Sequence, residues 1–203
     1  MPALLRRGKL AAFDTCAWFA VGDGPPFTRF WDETMPVELR VGQGFDLHRL
    51  VRGRPFVLGG LRLPHPLGPL GHSDGDALLH ALTDALLGAT GGGDIGDRFP
   101  DTDPRWKGAD SRKLLGAVWA PLRKAGWRVC NVDATVVAER PKLGPWKPRI
   151  AREIARLLGI PAGRVCVKAK TMEKLGEIGK GKAVAAQVAV LLDKSKHPNP
   201  KSK

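Results

Sequence analysis

Apolar and polar residues alternate across Val37-Glu38-Leu39-Arg40-Val41, the period-two pattern of a strand with two unlike faces. Phe56-Val57-Leu58 and Leu61-Arg62-Leu63 flank Gly59-Gly60, which predicts strand, break and strand. From Ser73 to Leu87 the period becomes helical. Leu78, Leu79, Leu82, Ala85 and Leu86 share one face, Ser73 stands as cap with Asp76 three residues on, and Gly88 serves as the stop. A second helix is expected from about Ser111 to Ala125, with Gly126 after it and Pro121 kinking it or ending it early. Arg128 to Ala138 reads as a strand, Lys147 or Pro148 to Leu158 as a third helix stopped by Gly159, and Val165 to Lys170 and Ala183 to Leu192 as a final two strands. The order, roughly β-β-α-α-β-α-β-β, predicts an α+β fold: a two-layer sandwich with a mixed sheet of four to five strands and helices packed on one face.

The 203 residues fit one domain, residues 36–193, with an N-terminal extension over 1–35 and a basic tail over 194–203, both expected to be poorly ordered. The extension resembles a signal or transit peptide only weakly, because Asp14, Asp23, Asp32 and Glu33 interrupt it. Met35 is a candidate true start, and organelle targeting by the extension stays open. No apolar run reaches the ~18 residues of a membrane helix, so no membrane partner is expected. Cys16, Cys130 and Cys166 form no C-x-x-C pair, which argues against a disulfide scaffold or a thiolate zinc knuckle. Cys130 and Cys166 lie in apolar strand-like runs and are expected buried and reduced, as in the cytoplasm. The formal charge of +13 suits an anionic partner. A basic nucleic-acid-binding module is the rival reading, but no stacking platform or nucleic-acid motif accompanies the charge, and Tyr is absent.

The chemistry-bearing residues cluster. Asp46 and His48, in Gly44-Phe45-Asp46-Leu47-His48, point to one side if the strand persists. Asp76, His80 and Asp84 follow at i, i+4, i+8 along a helix, which sets His80 off the leucine face. Two histidines and a carboxylate make a common ligand set for catalytic Zn²⁺ with an open fourth position. A structural zinc protein without turnover is the alternative. Gly91-Gly92-Gly93-Asp94-Ile95-Gly96 is a glycine-rich loop able to approach phosphate, but not a P-loop or a dinucleotide fingerprint: no Gly-Lys-Ser/Thr follows, no strand leads in and no helix begins at its end. Phe99-Pro100-Asp101-Thr102-Asp103-Pro104 pairs carboxylates in a turn. Glu173 is a candidate Mg²⁺ ligand on a diphosphate, and Lys142 a phosphate contact.

Together these segments resemble the 2-C-methyl-D-erythritol 2,4-cyclodiphosphate synthase family of the non-mevalonate isoprenoid pathway. The resemblance runs from about Val37 to Leu192. It is carried by Val41–Arg49, His72-Ser73-Asp74-Gly75-Asp76 with His80, Gly93–Gly96, Phe99–Asp103, Lys107-Gly108-Ala109-Asp110-Ser111, Asn131-Val132-Asp133, Pro141-Lys142 and Thr171–Gly176. It implies Asp46, His48 and His80 as zinc ligands and Glu173 as the ligand of Mg²⁺ or Mn²⁺ between the α- and β-phosphates of a cytidine diphosphate substrate. The substrate 2-phosphate would attack the β-phosphorus and release CMP, the work of a phosphorus–oxygen lyase. His72 with Ser73, and Thr171, would hold the phosphates and support the transition state. Asp94, Gly96, Phe99, Asp101 and Asp103 would bind the methylerythritol part. Ala138 to Gly144, with Lys142, and Ala169 to Glu173, with Lys170, would wrap the cytidine end, and Lys180 would also bind substrate, in a homotrimer with sites between subunits. Three positions depart from the family pattern: Lys170 replaces a common Thr, Glu177 a usual aromatic residue and Lys180 a usual arginine, and lysine cannot copy bidentate arginine binding.

Overall fold

A computed structural model describes residues 37–195, of which Leu39–Lys194 form one compact unit. The expectations for residues 1–35, Cys16 and Met35 included, and for the tail beyond Ser195 lie outside the described residues.

Strand β1 (Val37–Arg52) is far longer than its alternating first half predicts. Its inward side carries Gly42, Gly44, Asp46, His48 and Leu50; its outward side carries Leu39, Val41, Phe45 and Leu47. Strands β2 (Phe56–Leu58) and β3 (Leu61–Leu63) form an antiparallel hairpin. Its two-residue turn has positive φ at both Gly59 and Gly60, which glycine tolerates and which matches the strands' twist. Strand β4 (Leu67–Pro69), too short for a pattern to reveal, pairs antiparallel with the end of β1. Then come helices α1 (Ala77–Thr90), α2 (Ile95–Arg98) and α3 (Ser111–Lys124), strand β5 (Trp127–Val137), helix α4 (Lys147–Leu158), strand β6 (Val165–Lys170), helix α5 (Gly176–Gly179) and strand β7 (Ala183–Ser195).

The five-stranded sheet has the order β4-β1-β7-β5-β6. The last two predicted strands do not pair with each other; both flank β5. β7 pairs antiparallel and β6 parallel, because α4 carries the chain back to the same end of the sheet. The fold is the expected α+β sandwich, mixed sheet on one side and helices on the other. Its core joins Leu78, Leu82 and Leu86 of α1 to Ile150 and Ile154 of α4 and to Val132, Val136, Val184, Val188 and Leu192 of the sheet. Among the described residues no helix is long and apolar enough to cross a membrane.

Four local expectations need correction. The α1 cap is Asp76, not Ser73, because Gly75 sits at φ 77° and holds Ser73–Gly75 out of the helix. The helix stops at left-handed Gly91, not at Gly88. Helix α3 runs through Pro121 to Lys124; the carbonyl that the proline leaves without a donor is that of exposed Ala117, which water can serve. Cys166 is exposed and Cys130 only half-buried, since both side chains leave the sheet away from the core; both are free thiols.

Asp76 ties the hairpin to the helix. Its fully buried carboxylate accepts N–H bonds from Gly59 (2.8 Å), Gly60 (2.6 Å), Leu78 (3.2 Å) and Leu79 (3.0 Å). Burial pushes its pKa up, and the backbone donors, Gly60 foremost, pull against that. Asp76→Ala would orphan four backbone donors, three of them buried, and remove a cap. The expected loss is about 3–5 kcal/mol, read as a fall in the urea midpoint at unchanged slope.

Candidate active site

The close approach of β1 to α1 builds the site. At Gly42 and Gly44 a Cβ would stand 1.8 Å from the Ala85 carbonyl oxygen and 2.0 Å from that of Ala81. Only glycine lets the strand lie so near the helix. The next two inward residues, Asp46 and His48, therefore meet His80 on α1. One ligand atom from each lies within 4.8 Å of the others. His48 Nε2 and His80 Nδ1 are 3.1 Å apart, and each is 2.9 Å from Asp46 Oδ2.

Three lone-pair atoms that close repel one another unless a cation lies among them. A tetrahedral ion with ligand bonds of about 2.0–2.1 Å would hold them roughly 3.3 Å apart, a few tenths of an ångström from where they stand. Without a metal the cation is a proton. Burial disfavours charge on His80, but the hydrogen bond and charge of Asp46 outweigh it, with Asp76 and Asp74 behind, and raise its pKa above 6.5. Burial opposes the charged form of Asp46 too, yet hydrogen bonds to His48 and His80 hold its carboxyl far below the usual range.

The signs set a pH dependence. The raised His80 pKa gives metal-free protein stability that is complete below pH 6.5 and is lost as pH rises through the folded value. The lowered Asp46 pKa gives stability present above 3.8 and lost below it in acid. Their shared contribution is therefore largest between these two values. A divalent ion must displace the His80 proton, so affinity should fall about tenfold per pH unit for each proton displaced as pH drops below the His80 pKa. Zinc titration calorimetry in buffers of different ionisation enthalpy checks this through the protons released.

The three ligands open onto a cavity of about 480 Å³, also lined by His72, Ser73, Gly96, Phe99 and Asp101. Asp94 caps α2, so a one-turn helix does begin in the glycine-rich loop, contrary to the expectation for that segment. Asp84 of α1 accepts the Ile95 N–H (2.8 Å) and ties this turn to the helix bearing His80. Asp103 is not among the lining residues: its carboxylate grips Arg105, and its carbonyl lies 3.3 Å from His72 Nε2. Trp106, Leu114, Pro100 and Ile95 also line the cavity. Pro100 and Ile95 belong to segments that the resemblance already pointed to, whereas Trp106 and Leu114 were not legible as site residues; the only hint for Trp106 was its nearness to the Phe99–Asp103 segment.

The other predicted residues lie elsewhere in the chain. Ala138, Lys142, Ala169, Lys170 and Thr171 line a separate cavity of about 170 Å³. Glu173 is exposed beyond it, accepting a 2.6 Å hydrogen bond from the Thr171 hydroxyl, and is no part of the Asp46 cluster. Lys180 is exposed and pairs with Glu177 (3.1 Å), which Lys182 also approaches (3.3 Å). Glu177, standing where an aromatic residue was expected, thus pairs with two lysines at once.

These features match known proteins closely. The model of the YgbB family matches residues 39–193. The 2-C-methyl-D-erythritol 2,4-cyclodiphosphate synthase of Geobacillus kaustophilus is 56% identical over 156 residues, 77% of this chain and 99% of that one. That of Bordetella avium is 58% identical over 158 residues, 78% of this chain and 98% of that one. A solved structure of 2C-methyl-D-erythritol-2,4-cyclodiphosphate synthase in a CDP-bound form superposes with a TM-score of 0.69 at 44% identity, covering 75% of this chain and 99% of that one. By sequence, fold and the residues gathered at its metal-ligand cluster, the chain belongs to the 2-C-methyl-D-erythritol 2,4-cyclodiphosphate synthase family, the YgbB family.

Proposed function

We propose that this chain converts 4-diphosphocytidyl-2-C-methyl-D-erythritol 2-phosphate into 2-C-methyl-D-erythritol 2,4-cyclodiphosphate and CMP, as a phosphorus–oxygen lyase of isoprenoid biosynthesis. A 2-phosphate oxygen bonds to the β-phosphorus, the bond from that phosphorus to the bridging oxygen breaks, and CMP leaves with that oxygen. The observation that carries the reading is the convergence of Asp46, His48 and His80 at the mouth of a cavity walled by His72, Ser73, Gly96 and Phe99. Asp46, His48 and His80 would hold Zn²⁺ and Glu173 would hold Mg²⁺ or Mn²⁺, and the bound ions would supply Lewis acidity and charge neutralisation. The residues do the positioning. Nucleophile and leaving group belong to one molecule, so folding the substrate supplies much of the rate. A phosphate is already anionic at neutral pH, so no general base is required. His72 and Ser73 hold phosphate oxygens beside the cluster. The Asp94–Asp103 wall fits the polyol, and the Ala138–Thr171 cavity takes the cytidine end, with Thr171 and Lys142 on the phosphates.

We assign the chain to a homotrimer in which the Asp46 half of the site on one subunit faces the Thr171 half on the next. Two observations support this. The half-sites open as separate cavities in one chain. The outward side of β1 exposes Leu39, Val41, Phe45 and Leu47, each at least half exposed, an apolar row that a neighbouring subunit would cover. Sedimentation of the purified protein checks the assembly. For the reaction, CMP release should stop on chelation and return with Zn²⁺ plus Mg²⁺. Tight zinc without CMP release would leave only a structural metal protein.

A further inference from the structure

We propose that Ser111 and Asp74 form a relay that fixes the tautomer of His80 and strengthens it as a metal ligand. The inference rests on the metal reading of the Asp46–His48–His80 cluster. It also gives a role to the Lys107–Ser111 segment, which the proposed reaction leaves unused.

Proton placement decides the tautomer. The Ser111 hydroxyl donates to Asp74 Oδ1, and the Ser111 N–H donates to Asp74 Oδ2 at 3.1 Å. A carboxylate only accepts, so the hydroxyl proton of Ser111 is committed to Asp74. Ser111 Oγ lies 2.9 Å from His80 Nε2 and can only accept there. Nε2 must therefore carry a proton, and once a metal has displaced the second proton, which in metal-free protein Nδ1 shares with Asp46 Oδ2 at 2.9 Å, Nδ1 would offer its lone pair to the ion. Ser73 Oγ, 3.0 Å from Nε2, does not decide the matter. It accepts the Gly75 N–H, while its own proton is free to point either way. A carboxylate behind a ligand imidazole holds the ring and raises its donor strength; here a buried serine stands between the two.

The relay is rigidly mounted. Ser111 is the first residue of α3, capped by Asp110. Backbone bonds from Asp74 N–H to the Ala109 carbonyl (2.9 Å) and from Gly108 N–H to the His72 carbonyl (2.7 Å) join its loop to the turn that leads into α1. The Gly108–Ser111 segment therefore sets where the His80 ring points, through a contact 31 residues distant in sequence.

Zinc affinity measured by chelator competition at fixed pH tests this on the full chain. Ser111→Ala should weaken zinc about 10–100-fold, and Ser111→Thr, which keeps the hydroxyl, should recover most of the loss. Asp74→Asn should weaken it in the same direction, and the double variant should be no worse than Ser111→Ala alone. Long-range ¹H–¹⁵N spectra of the zinc-loaded protein should show His80 protonated at Nε2. Unchanged zinc affinity in Ser111→Ala, no recovery by Ser111→Thr, or an unprotonated Nε2 would each overturn the relay. If Ser111→Ala fails to fold, unchanged affinity in Asp74→Asn overturns it. Absence of zinc binding by the unaltered chain would overturn the metal reading as well, whereas normal binding that ignores both variants would remove the relay alone.

Discussion

His80→Ala should lose zinc and turnover together. The substitution removes one of three protein ligands and leaves Asp46 and His48 as a two-ligand site that cannot retain a metal through gel filtration. It also strips the Ser73 and Ser111 hydroxyls of a shared partner, a cost of about 1–3 kcal/mol. The fold should survive that cost, because the apolar core beneath α1 is untouched. Metal analysis after gel filtration, paired with CMP release, reads the result. A variant that still turns over in metal-depleted buffer would show that the cluster is not the catalytic zinc site.

Gly44→Ala should damage the site without touching a functional side chain. A Cβ there meets the Ala81 carbonyl oxygen at 2.0 Å, whereas ordinary contact begins near 3.4 Å. Backbone faces backbone, so strand and helix must part by over an ångström. Metal sites tolerate about 0.2 Å in ligand distances. Asp46 and His48 ride on the strand and His80 on the helix, so zinc affinity should fall at least about a hundredfold, with overpacking costing roughly 1–3 kcal/mol of stability. Gly116→Ala is the control: its Cβ would meet nothing within 4 Å, and it should stabilise α3 by up to about 1 kcal/mol. Equal zinc affinity in the two variants would refute the close-approach argument.

The same glycines explain how far the sequence could be read. Gly42-Gln43-Gly44 looks like the end of a strand by propensity, yet β1 continues through it, because the demand comes from α1, about 40 residues on. The convergence of Asp46 and His48 was legible, since period two puts them on one side whatever the strand's length. So was the turn of α1 that offers His80. The cap was not, because Ser73 and Asp76 are both good cap residues, and what separates them is the hairpin N–H pair that only Asp76 reaches. Bonds such as Ile95 N–H to Asp84, or Ser111 to His80, join separate segments through space, and no periodicity encodes them. Cys166 misled for a related reason. Its run is apolar, but β6 is an edge strand, and the odd register turns the thiol outward.

Phosphorus NMR of the chain loaded with Zn²⁺ and Mg²⁺ and supplied with 4-diphosphocytidyl-2-C-methyl-D-erythritol 2-phosphate tests the central claim most directly. One equivalent of CMP should form with a matching pair of coupled diphosphate resonances from the cyclic product, both lost in His80→Ala. CMP appearing with a linear, hydrolysed phosphate product, or no change in the substrate spectrum, would contradict it.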